Sequence, residues 1–219
     1  YARYQYNEGN FREAAAHLDD ALRLSDRAGD RTIQVESLRA LGYLAIEEGD
    51  LDRAMDCADL ALGLIPEPSE SPYLKARILG LKGLVFMETG HLAEAAYPLA
   101  YAVIAFRRLS DRRNESVQLA NLGLLAQARG NLIESLGFFE HALAIDREIR
   151  DVSERGRKLV GYADIRVELG QFETGESLLN DALRICRENY EPMGELEAEL
   201  GMADLLLQRG RPAEARDVL

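Results

Sequence analysis

Cysteine and histidine are scarce in this chain of 219 residues, with two of the first and three of the second. Cys57 and Cys186 are too few and too separate for a disulfide framework or a zinc site. They read as buried apolar thiols, which fits a reducing, cytoplasmic setting. His17, His91 and His141 each lack a second His within four residues, so no helical metal-ligand pair exists. They read as solvated or packing residues. No apolar run approaches the ~18–20 residues that span a bilayer, and no signal-peptide pattern is present, so no membrane role is expected. Clustered Lys and Arg are also lacking: 26 basic residues face 38 acidic ones, for a net charge of −12. Direct nucleic-acid binding is disfavoured, because displacing counterions from phosphates needs a concentrated basic face.

Motifs for chemistry are missing as well. There is no Gly-rich phosphate loop, no His-Glu-x-x-His, no Cys-x-x-Cys and no nucleophile elbow. Adjacent acids such as Asp19-Asp20 and Glu47-Glu48 diverge by about 100° on a helix, so they cannot converge on one substrate. Neither catalysis, nor a cofactor, nor a metal is expected.

What is present is a repeat. Gly9, Gly49, Gly90, Gly130, Gly170 and Gly210 are spaced by 40, 41, 40, 40 and 40 residues. Two residues after each comes Phe11, Leu51, Leu92, Leu132, Phe172 or Pro212. Five after each comes a small side chain: Ala14, Ala54, Ala95, Ser135, Gly175 or Ala215. Twelve after comes Ala21, Ala61, Ala102, Ala142 or Ala182. Each Gly suits a left-handed turn that ends one helix. The small residues at +5 and +12 are two turns apart and share one helix face, where a neighbouring helix can approach closely. Upstream of each Gly lies another helix, as in Ser37 to Glu48, with Leu38, Leu41, Leu44 and Ala45 at helical spacing. Each unit is therefore a helical hairpin that must stack on its neighbours to bury its apolar faces.

The expected fold class is all-α, an α-solenoid of stacked antiparallel helix hairpins. One array of about six units is expected over 1–219: 1–30 (partial), 31–70, 71–111, 112–151, 152–191 and 192–219 (partial). Asp30, Asp111 and Asp151 are expected to cap first helices. Ser71-Pro72 and Glu191-Pro192 place Pro at the first helical position. The segment 66–72, PEPSESP, reads as a stiff loop between repeats, since the register continues across it. Both ends fall within a hairpin, so the array is expected to be a segment of a longer protein.

The unit resembles the tetratricopeptide repeat (TPR). The second unit carries Leu41-Gly42, Gly49, Leu51, Ala54, Ala58, Ala61 and Pro66, and the fourth Leu122-Gly123, Gly130, Leu132, Ser135, Phe139 and Ala142. The fifth departs, with Ala163 and Gly175 at two of these places. The period exceeds the usual ~34 residues, and the extra residues should lengthen the helices by about a turn. Units of this length are similar to those of kinesin light chains and of helical arrays in large bacterial signalling and transcription-activator proteins. HEAT and armadillo arrays have similar periods but not this register.

The resemblance implies a right-handed superhelix whose first helices line a concave groove that takes a protein or peptide. Carried onto this chain, the groove comprises Glu36, Arg39, Tyr43, Ile46 and Glu47 in the second unit, and Arg77, Leu84, Met87 and Glu88 in the third. The fourth supplies Val117, Asn121, Leu124 and Gln127, the fifth Arg157, Asp164, Val167 and Glu168, and the sixth Glu197, Asp204 and Leu207. Asn121 with Arg157 would offer a spot for hydrogen bonds to a peptide backbone. The family's clamp for acidic C-terminal peptides needs Lys and Asn where Tyr43, Leu81 and Asp164 stand, so that ligand is rejected. Three Arg against seven acids, around an apolar floor, suit a basic or amphipathic segment. The function implied is a protein-interaction scaffold within a larger signalling or regulatory protein, its oligomeric state open. The alternatives are a small-effector sensor array, or a passive spacer or self-association domain attached to an enzyme.

Overall fold

Gly49, Gly90, Gly130, Gly170 and Gly210 all take φ between 71° and 76° in the computed structural model. Each closes the same pair of hydrogen bonds: the Gly49 N–H donates to the Ile46 carbonyl (2.9 Å) and the Asp50 N–H to the Ala45 carbonyl (2.8 Å). This capping motif satisfies two orphan carbonyls and turns the chain by way of a left-handed residue. The structure describes residues 11–65, 71–152 and 154–219, so Gly9, Pro66 and most of the Pro-rich loop lie outside the described residues.

Among the described residues there are eleven helices and no strand. In Tyr1–Ser110, the first of two compact units, they are α1 (Phe11–Ala28), α2 (Arg31–Glu47), α3 (Leu51–Leu64), α4 (Pro72–Glu88) and α5 (Leu92–Arg108). In Asp111–Leu219, the second unit, they are α6 (Arg112–Ala128), α7 (Leu132–Glu148), α8 (Arg155–Glu168), α9 (Phe172–Glu188), α10 (Pro192–Gln208) and α11 (Pro212–Val218). The even-numbered helices are first helices of hairpins. Each packs on the second helix that follows it, as α2 on α3 and α8 on α9.

The small residues hold the close contacts. All six at +5, and Ala61, Ala102, Ala142 and Ala182 at +12, are buried; Ala21 is half-buried. A Cβ on Gly42 would lie 2.6 Å from Leu81 Cδ2, and one on Gly123 2.7 Å from Phe139 Cε2. The first unit's core gathers Val35, Leu38, Leu41, Ala58, Ile78 and Leu81. The second unit's gathers Leu159, Ala163, Leu179, Ala182, Met202 and Leu205.

Asp30, Asp111 and Ser71 cap as expected, accepting from the N–H groups of Ile33, Asn114 and Leu74. Asp50 does the same for Arg53. Asp151 does not cap. Helix α8 starts at Arg155, after Glu154 in a left-handed conformation (φ 60°), and the Asp151 carboxylate lies 2.8 Å from Arg113 Nε. An ion pair to the preceding first helix has taken the carboxylate that a cap would need.

Candidate functional site

In the first unit the first-helix face is organised around Glu36. Its carboxylate takes Arg39 Nε at 3.1 Å and also the Arg77 guanidinium, tying α2 to α4. The Arg39 guanidinium lies 5.4 Å from the Tyr43 ring centroid, and that of Arg77 5.5 Å from Tyr73. Both cations are thus engaged within the unit, on an acid and on an aromatic face. Ile46, Leu84 and Met87 are half-buried beside the exposed Glu47 and Glu88. Leu81 is wholly buried against Gly42, so it is a core residue and not a clamp position.

In the second unit the face runs over α6, α8 and α10. Leu124 is 39% exposed and Val117 half-buried. Asn121 Nδ2 donates to Gln118 Oε1 (3.3 Å), and Gln127 donates to Glu168 across to α8. Arg157 Nε donates to Glu197 (3.0 Å) across to α10. Leu207 and Asp204 are exposed. Val167 is buried in the core, its Cγ2 filling the space that the absent side chain of Gly175 leaves. It is therefore withdrawn from the surface set.

Asp164 stands apart electrostatically. Burial, then the nearby Glu168, Asp204 and Glu197 carboxylates, push its pKa up from 3.8 to about 6. Desolvation and like charge both disfavour the ionised form, and no cation among the groups acting on it offsets them.

One constellation escaped sequence reasoning. Lys158 Nζ lies 2.8 Å from Asp146 Oδ2 and 2.8 Å from Ser116 Oγ, and Ser116 Oγ donates to Asp146 Oδ1 at 2.5 Å. Ser116, Asp146 and Lys158 are 0%, 1% and 6% exposed. Buried in this way, the cluster joins α6, α7 and α8 as a core ion pair. The repeat register held a signal for it. Asp146 is sixteen residues after its turn Gly, where other hairpins place Ser25, Ile65, Phe106 and Cys186, all buried. Lys158 is twelve before its turn Gly, where others place Ser37, Ile78, Gln118 and Ala198, also buried. Opposite charges at two buried register positions predict each other.

Cys57 and Cys186 are free and buried, and burial is the largest cause raising both thiol pKa values, that of Cys186 to about 11. Among the described residues no group of His, Cys, Asp and Glu is arranged to hold a metal ion. No described helix is long and apolar enough to cross a membrane.

The family described as the MalT-like TPR region matches residues 43–219. The chain belongs to that family. Its TPR hairpins superpose on those of several solved proteins at low sequence identity. A Rap protein complexed with Competence and Sporulation Factor is 18% identical with a TM-score of 0.82, covering 99% of this chain and 65% of that one. BtubC (BKLC) from P. vanneervenii is 15% identical with a TM-score of 0.73, covering 95% and 88%. A Pyrococcus horikoshii signal transduction ATPase with numerous domains, bearing a TPR sensor, is 18% identical with a TM-score of 0.71, covering 96% and 30%. No curated protein matches the chain by sequence. The fold class is thus an all-α TPR-type solenoid of stacked antiparallel hairpins, and the TPR chain spans less than two thirds of two of these three proteins.

Proposed function

We propose that this TPR chain is a protein-interaction module of a larger signalling or regulatory protein. Its hairpins form one six-unit array that docks a protein or peptide on the first helices. The observation that supports this reading is the uncompensated acid at Asp164, beside Glu168, Glu197 and Asp204 and on the same run of first helices as the exposed Leu124 and Leu207. A basic side chain brought there would remove like-charge repulsion, while apolar neighbours on an amphipathic segment would cover the leucines. The Rap protein with its bound factor and the ATPase with its TPR sensor give regulatory precedents on the same fold.

The test is capture of partners from lysate of the source organism by the parent and by a Leu124→Arg/Asp164→Arg variant, with circular dichroism to confirm folding. The expected result is a partner retained by the parent and lost by the variant. Equal retention by a folded variant would move the site off the second unit's first helices. A metabolite that raises the melting temperature, with no protein retained, would favour a small-effector sensor.

A further inference from the structure

The first unit carries an open groove of ≈ 960 Å³ between the second helices α1 and α3, with α2 beneath. Leu22, Leu38, Leu60 and Leu64 give it an apolar lining. Leu60 is 61% exposed. Gly63 offers no side chain, and a Cβ there would meet nothing within 4 Å. The register positions of Leu60 and Gly63 are Asp20 and Arg23 in α1, Tyr101 and Ile104 in α5, His141 and Ala144 in α7, and Asp181 and Arg184 in α9. Where α1 and α9 carry a charged pair, α3 presents an exposed leucine and no side chain at Gly63, so the surface there is apolar and flattened.

The rim is acidic. Asp19 and Asp26 project from α1, and Asp56 and Asp59 from α3. Asp59 is paired with Lys82 (2.5 Å), and Asp26 accepts from Gln34 (3.1 Å). Arg23, the one cation lining the groove among the described residues, is paired with Asp20 (2.7 Å). Asp19 and Asp56 have no cationic partner among the described residues.

We propose that this groove docks an amphipathic helix from a partner protein, its apolar stripe on the leucines and Lys or Arg on its flanks against Asp19 and Asp56. A helix suits the groove better than an extended segment. The walls and floor are helices whose own backbone bonds are complete, so an extended strand would find no backbone partner, while a helix brings its own. Size agrees. A helix of ~10 Å diameter occupies on the order of 400 Å³ per 5.4 Å turn, so the groove holds about two turns, enough for a stripe at i, i+3, i+4 and i+7. The rim sets the sign of the flanks: like charges facing Asp19 and Asp56 would be repelled. This surface lies on the second helices of the first unit, and disabling the first-helix face proposed above separates the two readings.

The probe is a labelled 15-residue peptide with Leu at i, i+3, i+4 and i+7 and Lys on both flanks. It is titrated against the whole chain by fluorescence anisotropy, beside a Glu-flanked version and a scrambled peptide of the same composition and charge. The Lys-flanked helix should bind at least tenfold more tightly than either control. Leu60→Glu and Asp56→Lys, both at exposed positions and both made in a Leu124→Arg/Asp164→Arg background so that the first-helix face does not contribute, should each weaken it about tenfold or more. Equal binding of the scrambled peptide, or indifference to both groove variants, overturns the proposal. A parent dimer that Leu60→Glu renders monomeric in sedimentation, without a change in peptide affinity, overturns it in favour of a second copy as the occupant.

Discussion

At Gly123 a single hydrogen in place of a methyl group lets α6 and α7 meet, since a Cβ would lie 2.7–2.8 Å from two ring carbons of Phe139. Gly123→Ala is therefore expected to cost about 1–3 kcal/mol by overpacking. Gly137 is exposed in the middle of α7 with open space around it. Gly137→Ala should instead gain roughly 0.5–1 kcal/mol from backbone entropy alone; urea midpoints of the two variants should move in opposite directions. The Lys158–Asp146 pair makes a sharper case. Lys158→Met should lose about 3–5 kcal/mol, because it strands a buried carboxylate, and adding Asp146→Leu should restore much of the loss. Asp164 links residue to pH. Its folded pKa of about 6 lies above the ordinary 3.8, so between those values the folded state binds more protons than the unfolded one. Stability must fall as pH rises through that window. Asp164→Asn should flatten the slope and be more stable at pH 7 by about 2 kcal/mol, readable from denaturation at pH 4.5 and 7.

At the scale of the element, the turns within hairpins and those at Gly29, Arg150 and Tyr190 close the same pair of capping bonds, but only one class of turn uses glycine throughout. The turns within hairpins carry Gly49, Gly90, Gly130, Gly170 and Gly210. Those between hairpins carry Gly29 and then Ser110, Arg150 and Tyr190, at φ of 57°, 55° and 56°. A non-glycine residue pays roughly 1 kcal/mol to sit there. Ser110→Gly, Arg150→Gly and Tyr190→Gly should each stabilise the chain by a few tenths to about 1 kcal/mol in chemical denaturation, and the triple variant should approach their sum, since separate sites add. The glycine turns were plain in the sequence, because a 40-residue period in one residue type is visible without a structure. The between-hairpin turns were not, since Ser, Arg and Tyr carry no signal for a left-handed backbone.

For the whole molecule, the net charge of −12 keeps chains apart near neutrality. As the pH approaches the pI of about 4.8 that repulsion fades, and light scattering should show solubility passing through a minimum there. Site legibility divided along physical lines. Glu47, Glu88, Leu124 and Glu168, carried over from the TPR resemblance, are exposed. Val167 and Leu81 were misplaced because one position on a helix can face either solvent or the next hairpin, and neighbours 40 residues away decide which.

By itself the sequence determined the period, the helical hairpin, the glycine turns and the small-residue contacts, because these depend on backbone conformation and side-chain volume at single positions. Outside the Lys158–Asp146 pair, tertiary structure alone decided which charges are paired. Glu36 pairs with both Arg39 and Arg77, and Asp164 meets three acids from its own and the next first helix. Coulombic interaction and desolvation depend on distances between hairpins, and no pattern along the chain states those distances.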